Sequence, residues 1–372
     1  MSGINNTKVA FVFNKGRSIR LQAARDGLAP KEFFLGALEL EARGYKPGIF
    51  EIDPETAPGW LGGIVNVMLS SGLMPEKLGG GVIGETRKIL ARLSDYDFVV
   101  GTTSSIGFAL ALFKKLGKLK ADIAVIHCGL LNNPYGLLKK KLTALLLKQG
   151  HTVLYGEGEL FSLSNMFPNV ADKVTVNQFG VDAAFWLPDL TVNREKFVLS
   201  IGNDGRRDYE TLISAARKSK HAFHVVTSRE LPGDIPSNVK VTKGSWHSEA
   251  VTDSALRDLY RRAGCVAVTL SESYQPSGQS VALQALACGT PVIITETHGL
   301  WADDIRKFVT LVKPMDVEGL VTAIDKVMNN RCEELAKASS FLPVMVKEYS
   351  SKAFADRMEI IIAQGYQNRR TL

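Results

Sequence analysis

Short apolar runs alternate with helical patterns along this 372-residue chain. Such alternation predicts parallel sheets with helices on both faces, because a parallel strand reaches its neighbour only through a long crossover, usually a helix. We therefore expect an α/β fold. The predicted strands are residues 9–13, 47–52, 98–102, 123–127, 152–155, 197–201, 222–227, 239–242, 265–270, 292–295 and 310–312.

Helical periodicity fills the segments between these strands. It is clearest at residues 30–43, 85–93, 136–148, 208–218, 254–262, 278–288 and 317–328. The run Gly79–Gly84 has GxGxxG spacing, but no strand precedes it, so it indicates a loop rather than a dinucleotide site. A last helical pattern, Lys347–Gly365, has no strand after it.

The length of the chain favours two domains over one. Turn residues and a proline gather in Asp182–Glu195, between the two series of strands. We expect the linker there. The predicted domains are then residues 1–185 and 186–346.

Composition limits the partners and the compartment. The chain has 45 Lys and Arg against 38 Asp and Glu, a formal net charge of +7. This excess suits an anionic ligand or membrane face, and without a recognition motif it does not indicate nucleic acid. We find neither a membrane-spanning apolar run nor a signal-peptide pattern. The cysteines are scattered in apolar contexts, which predicts buried thiols in a reducing cytoplasm.

The segment Ser271–Ile294 reads as loop, helix and strand after the apolar run Cys265–Leu270. A helix that starts here leaves free N–H groups beside the carboxyl ends of parallel strands, a place suited to phosphate. Those N–H groups belong to Ser277, Gly278 and Gln279. The alternative is a core helix that Ser277 merely caps; we favour phosphate binding.

The same segment carries a family resemblance. Leu283–Val292, LQALACGTPV, resembles the signature helix of GT-B glycosyltransferases of the family-4 type, whose usual pattern is LEAMACGxPV. Phe197–Ile213 resembles the first element of their second domain, and Phe179–Asp182 also resembles the family. The resemblance implies a GT-B fold of two Rossmann-like, doubly wound parallel-sheet domains with an interdomain cleft. It also implies that a C-terminal helix, about residues 347–372, returns to the first domain.

The resemblance assigns donor contacts to particular residues. Gly202 ends a strand, Arg207 aligns with a phosphate-binding lysine, and Arg206 is its neighbour. Gln284 stands where the family's second glutamate holds the ribose. The first glutamate falls on Pro276, so both glutamates of the usual E-x7-E motif are replaced. Glu272 is the nearest substitute for the missing carboxylate.

Two further positions are candidates for contact with the donor. His127 follows the apolar run Ile123–Ile126, at a strand's carboxyl end, where the family has a histidine that touches the donor sugar. Trp246 and its neighbour His247 lie in the loop where relatives hold the nucleobase. Either could instead be structural, His127 as a satisfied buried group and Trp246 as a loop anchor.

Two basic segments are candidates for the acceptor side. The predicted loop Asn14–Ala29 carries Lys15, Arg17, Arg20 and Arg25, and either contacts the acceptor or is solvated surface. Gly136–Lys148 is basic and amphipathic. It could lie on an anionic membrane, but a domain helix with leucines inward and lysines outward is favoured.

We therefore expect a cytoplasmic, hexosyltransferase-type glycosyltransferase (EC 2.4), retaining by family likeness, with peripheral contact at the inner membrane face as an option. It would use a nucleotide-diphosphate sugar as co-substrate, UDP-sugar favoured, with no metal or other cofactor. The acceptor would be a glycan, lipid or small molecule in polysaccharide or glycolipid biosynthesis. The alternatives are a nucleotide-sugar epimerase on the same fold and a non-catalytic nucleotide-binding scaffold.

Overall fold

A computed structural model describes residues 7–57, 59–70, 75, 78–131, 136–244 and 251–370. The chain divides into two compact units. The first is Met1–Arg25, Lys31–Gln178 and Phe354–Leu372, and the second is Asp26–Pro30 with Phe179–Ala353. Each unit is an α/β layer structure built on its own parallel sheet, which confirms the predicted fold class.

The sheet of the first unit has six strands in the order β2-β1-β3-β4-β5-β6, all parallel. The strands are β1 (Val9–Asn14), β2 (Gly48–Ile52), β3 (Phe98–Gly101), β4 (Asp122–His127), β5 (His151–Leu154) and β6 (Val174–Val176). The central strands are buried along their length, as expected for strands covered on both faces.

The helices of the first unit connect these strands. They are α1 (Ser18–Arg25), α2 (Ala37–Ala42), α3 (Trp60–Ser70), α4 (Gly80–Leu93), α5 (Ser104–Lys115), α6 (Leu137–Leu147), α7 (Glu157–Met166) and α14 (Ser351–Arg370), which enters this unit at Phe354. Two 3-10 helices, Lys31–Phe34 and Pro168–Lys173, complete the connections. Thr103 caps α5 by accepting a hydrogen bond from the Ile106 N–H, which satisfies one orphan donor of the first turn.

The sheet of the second unit has six parallel strands in the order β12-β11-β10-β7-β8-β9. The strands are β7 (Phe197–Ile201), β8 (Ala222–Val226), β9 (Val239–Thr242), β10 (Cys265–Val268), β11 (Val292–Thr295) and β12 (Thr310–Val312). Numbered within the unit, this is the order 3-2-1-4-5-6 of a Rossmann sheet.

Helices cover both faces of this second sheet. They are α8 (Tyr209–Lys218), α9 (Asp253–Arg262), α10 (Gln279–Ala287), α11 (Val317–Asn329), α12 (Arg331–Ser339) and α13 (Leu342–Glu348), with a 3-10 helix at Asp304–Lys307. Asp208, Thr252 and Asp316 cap α8, α9 and α11 through side-chain oxygens. These caps explain why the predicted helix starts in this unit lie within a residue or two of the observed ones.

Residues of the expected linker are packed into the second unit. Trp186 is fully buried and meets Tyr260 of α9 edge to face, with ring centroids 5.7 Å apart. Arg194 donates hydrogen bonds to the carbonyls of Tyr260, Ala263 and Cys288, so one guanidinium serves the C-terminal ends of both α9 and α10. Cationic groups at such ends satisfy orphan carbonyls and complement the helix dipole.

Several local predictions were wrong. Gly80–Gly84 is the first part of α4 rather than a loop. The predicted helix 30–43 is divided, because Leu35 and Gly36 have positive φ angles, which are not helical. The predicted loop Asn14–Ala29 contains the helix α1. The pattern Lys347–Gly365 is interrupted between α13 and α14.

The predicted strands are all present, within one or two residues at each end, and β6 is an additional short strand. Cys265 and Cys288 are buried as expected, but Cys128 and Cys332 are exposed. In the part of the chain that the structure describes, no helix combines the length and the apolar character needed to cross a membrane.

Candidate functional site

The strand order of the second unit marks one position where a ligand is expected to bind. β7 and β10 are neighbours, and the chain leaves them towards opposite sides of the sheet, since β8 follows β7 and β11 follows β10. The loops after β7 and β10 therefore separate at the carboxyl edge. Open α/β sheets bind ligands in the crevice at such a switch point.

The loop after β7 holds Arg207 in a fixed orientation. The Asp204 carboxylate accepts a hydrogen bond of 2.8 Å from Arg207 Nε, and its other oxygen accepts one from the Arg206 N–H at 3.0 Å. A Cβ at Gly202 would lie 2.1 Å from Arg207 Nε. Only glycine at position 202 lets the guanidinium lie against the end of β7.

The loop after β10 is bound to the loop after β7. Asp208 donates its N–H to the Thr269 carbonyl at 3.0 Å, and Ser271 donates to the Arg206 carbonyl at 2.8 Å. An isolated antiparallel bridge joins Arg207 to Leu270. These backbone contacts fix the position of Arg207 relative to the start of α10.

Gly278 brings the N-terminal end of α10 close to Arg207. Its φ is +75°, a left-handed conformation that favours glycine. A Cβ there would lie 2.4 Å from Cγ1 of Val268 and 3.3 Å from Arg207 Nη1. The guanidinium thus lies beside the N-terminal end of α10, where the dipole is positive. The expectation that Ser277 offers a free N–H was wrong, because this N–H donates to the Gln275 carbonyl at 2.8 Å.

Two polar groups at this position are buried and have no hydrogen-bond partner among the described residues. They are Arg207 Nη1 and Ser277 Oγ. The Arg207 side chain is only 3% exposed. Leaving a buried donor unsatisfied costs about 1–3 kcal/mol of folding free energy, and the cost is larger when the donor is charged. An anion that accepted from Arg207 Nη1, Ser277 Oγ and the first N–H groups of α10 would remove this cost. We call these three groups the anion cradle.

The loops after β8 and β9 add cations that the sequence did not single out. Arg229 Nη1 donates to the Asp204 carbonyl at 2.9 Å, and Lys243 Nζ donates to the Arg229 carbonyl at 3.2 Å. Asn203 links these loops, since its amide donates to the Gly244 carbonyl and accepts from the Ser228 N–H. The sequence indicates Arg229 and Lys243 only by their position, because each follows the carboxyl end of a predicted strand.

Glu272 lies in the loop between β10 and α10 and is paired. Its Oε1 accepts a hydrogen bond from the His298 backbone N–H at 2.9 Å and lies 3.0 Å from His298 Nδ1. Burial opposes ionisation of Glu272, but the bonds from His298 prevail and hold the pKa of the carboxyl below its usual range. The ring of Tyr274 lies 5.2 Å from that of His298. This exposed cluster includes His298, which the sequence did not indicate.

The structure places the two predicted glutamines inside the second unit. Gln279 is buried at the start of α10. Gln284 is 3% exposed, and its Oε1 accepts a hydrogen bond of 3.1 Å from the Tyr260 hydroxyl. The observed contact of Gln284 is therefore with α9, and contact with a ribose stays a prediction.

His127 ends β4 of the first unit, as predicted, but its imidazole is not presented at the strand end. It is 1% exposed, lies 3.0 Å from Ser104 Oγ and packs on the ring of Phe108. Burial lowers the pKa of His127 to about 3, so the imidazole is neutral. These contacts favour the alternative of a buried structural group, because the side chain turns into the layer formed by α5. Contact of His127 with the donor sugar stays a prediction.

The basic residues after β1 are engaged within the first unit. Lys15 pairs with Asp53 at 3.1 Å and Arg25 with Glu41 at 2.8 Å. Arg17 lies over the ring of Phe33, and burial lowers its pKa to about 10. Arg20 is half-buried.

Trp246 and His247 lie outside the described residues.

Comparison with solved structures identifies the class of fold as GT-B. Sucrose-phosphate synthase from Thermosynechococcus elongatus aligns with 98% of this chain and 100% of its own, at 15% identity and a TM-score of 0.71. A glycosyltransferase from Rickettsia africae aligns over the same shares, at 15% identity and a TM-score of 0.67. HepE from Anabaena, solved with UDP-glucose, covers 98% and 100%, at 13% identity and a TM-score of 0.64.

Within this fold, residues 237–340 match the family described as "Glycosyl transferases group 1". The matched region extends from β9 to α12 and contains the start of α10, Glu272 and His298. The chain thus resembles GT-B glycosyltransferases in fold and in this region. None of the curated protein sequences matches the chain.

Proposed function

We propose that this protein transfers a sugar from a nucleotide-diphosphate donor. The observation that carries the proposal is the anion cradle, in which buried Arg207 Nη1 and Ser277 Oγ have no hydrogen-bond partner among the described residues. A diphosphate supplies several acceptor oxygens and negative charge, which is what the cradle lacks. The group 1 glycosyltransferase region supports this class of ligand over other anions.

The cradle also suits the chemistry of sugar transfer. When the bond between the anomeric carbon and the diphosphate breaks, negative charge grows on the leaving oxygen. A fixed guanidinium and oriented backbone N–H groups stabilise such charge without reorganising. The residues of the cradle provide this positive charge themselves, and we therefore propose transfer that needs no metal.

We propose that the transfer retains the anomeric configuration, by likeness to family 4. In that chemistry a donor phosphate oxygen takes the proton of the acceptor hydroxyl, so no side-chain base is required. This agrees with the burial of His127, which leaves that imidazole unable to exchange protons at the strand end.

Glu272 is the carboxylate that we propose for contact with the donor sugar. It lies in the loop that leads into the cradle, and His298 fixes its orientation through two contacts. A carboxylate accepts hydrogen bonds from sugar hydroxyls, and the exposed ring of Tyr274 beside His298 offers an apolar face. These three residues would then influence which sugar is accepted.

For the remaining features we propose a hexosyl donor carried on UDP, and an acceptor that belongs to polysaccharide or glycolipid synthesis inside the cell. HepE, which has the same fold, has been solved with UDP and with UDP-glucose. The acceptor side is assigned to the first unit, where Lys15, Arg17 and Arg20 follow β1.

The test is a binding and turnover panel on the whole protein. Calorimetry with UDP, GDP and dTDP should give measurable affinity for at least one nucleoside diphosphate. The matching nucleotide sugar should then be hydrolysed slowly in the absence of acceptor. Release of an epimerised donor would support the epimerase instead, and tight binding without any turnover would support a scaffold. Failure of all three nucleotides to bind would overturn the assignment of the cradle.

A further inference from the structure

The excess of positive over negative charge in this chain lies in one segment. Residues 114–148 contain eight lysines and one aspartate, and neither arginine nor glutamate. The segment therefore carries +7, which equals the formal net charge of the whole chain. The rest of the sequence is balanced. A solvated surface requires no such concentration, and a single-sign patch attracts an anionic partner.

Helix α6 lies in this segment and exposes leucines together with lysines. Leu137 is 73% exposed, Leu138 51% and Leu145 39%. Lys139, by contrast, is buried at 5%. The expected arrangement, with leucines inward and lysines outward, is therefore only partly met: Leu146 and Leu147 are buried, but these three leucines and Lys139 reverse it. Its outer side consists of Leu137, Leu138, Lys140, Lys141, Leu145 and Lys148, which we call the α6 face.

Leucine and lysine are also exposed at the C-terminal end of α5, which neighbours α6. The two helices pack against each other. Leu116, directly after α5, is 58% exposed, and Lys115 beside it is exposed as well. Lys114 and Lys148 line one cavity of about 480 Å³, so the C-terminal ends of the two helices lie at the same edge of the first unit.

We propose that the α6 face docks on an anionic membrane surface. Lysines complement the charge of anionic headgroups, and leucines at the same helix face would leave water for the region between headgroups and acyl chains. A soluble polyanion would satisfy the lysines but would leave the leucines in water. An anionic membrane is therefore the partner that binds both the lysines and the leucines of the α6 face.

This inference rests on the proposed function, since docking of the α6 face would bring the enzyme to an acceptor held in the membrane. Vesicle binding itself needs neither donor nor transfer. Each lysine near an anionic surface strengthens binding about fivefold. Exposed leucines add affinity in proportion to the apolar area they bury.

The experiment measures co-sedimentation of the full chain with vesicles of phosphatidylcholine alone and with an equal part of phosphatidylglycerol. The intact protein should bind the anionic vesicles and lose that binding as salt is raised. Lys140→Glu with Lys141→Glu should weaken binding about a hundredfold or more, because attraction is replaced by repulsion. Leu137→Ser with Leu138→Ser and Leu145→Ser should weaken it at least tenfold.

Two matched controls lie in the second unit. Leu190 is 99% exposed and Lys326 is exposed on α11, so Leu190→Ser and Lys326→Glu change the same residue types elsewhere. Both should bind vesicles as the unaltered protein does. Because every altered side chain is exposed, melting temperature and nucleotide affinity should not change in any variant.

Three results would overturn the proposal. The first is equal binding to neutral and anionic vesicles, or no binding to either. The second is loss of binding in the lysine variant with none in the leucine variant, which would assign the surface to a soluble polyanion. The third is a leucine variant that changes the sedimentation coefficient of the protein alone, which would assign the face to a second copy of the chain.

Discussion

Replacing Arg207 by alanine should separate ligand binding from folding stability. The guanidinium is nearly inaccessible, its Nε is held by Asp204 at 2.8 Å, and its Nη1 has no partner among the described residues. In the ligand-free protein, the bond to Asp204 is offset by the cost of burying an unsatisfied charged donor. We therefore expect Arg207→Ala to change the free energy of unfolding by no more than about 1–2 kcal/mol.

Binding of a nucleoside diphosphate should respond much more strongly. The variant loses a buried, charge-assisted hydrogen bond, worth about 1.5–3 kcal/mol. This corresponds to a loss of affinity of about ten- to a hundredfold. Arg207→Lys should recover only part of it, because an ammonium cannot reproduce the fork that bonds Asp204 and the ligand at once.

The assay is calorimetric titration with the nucleoside diphosphate that binds best, alongside chemical denaturation of each variant. Arg217 provides the control: it is an arginine of α8 whose Nη2 donates to the Asp234 carbonyl. Arg217→Ala should leave nucleotide affinity unchanged. If Arg207→Ala binds within about twofold of the parent while remaining folded, the cradle is not the diphosphate site.

Three further predictions concern residues away from the cradle. Gln284→Ala should lower the free energy of unfolding by about 1–2 kcal/mol, because the hydrogen bond from the Tyr260 hydroxyl is lost. If Gln284→Ala also weakens nucleotide binding in calorimetry and Tyr260→Phe does not, the ribose contact is supported. Arg194→Ala should cost about 2–4 kcal/mol in denaturation, since it removes the hydrogen bonds from Arg194 to the Ala263 and Cys288 carbonyls after the ends of α9 and α10. An unchanged midpoint would contradict this capping role. Burial lowers the pKa of His127 to about 3, so the unfolded state binds more protons, and stability should fall as pH drops from about 6.5 towards 3, by at most ~1.4 kcal/mol per pH unit. Denaturation of His127→Gln at several pH values should show a shallower slope, and an equal slope would refute this.

Much of the fold could be predicted because parallel strands in an α/β protein are buried on both faces. Their sequences are short and almost wholly apolar, as in Val292–Thr295, and the helices between them begin with capping residues such as Asp208 and Thr252. Both signals are local. The positions of the loops after β7 and β10 could be predicted for the same reason, and with them Arg207 and Gly278.

The orientation of individual side chains depended on packing that no local pattern encodes. The sequence places His127 at a strand end, but the proximity of Ser104 and Phe108 turns its imidazole inward. It places leucines and lysines in α6, but which of them face solvent depends on how the helix packs on its neighbours, and Lys139 is buried as a result. Arg229 and His298 are distant in sequence from the residues that they contact.

Local sequence therefore determined the order of strands and helices along the chain and the loops that carry the candidate site. Tertiary structure decided the neighbours of each strand, and so the switch point between β7 and β10. It also decided which polar groups are buried without a partner. The physical reason is that secondary structure follows from residues a few positions apart, whereas burial and electrostatics depend on side chains brought together from distant segments.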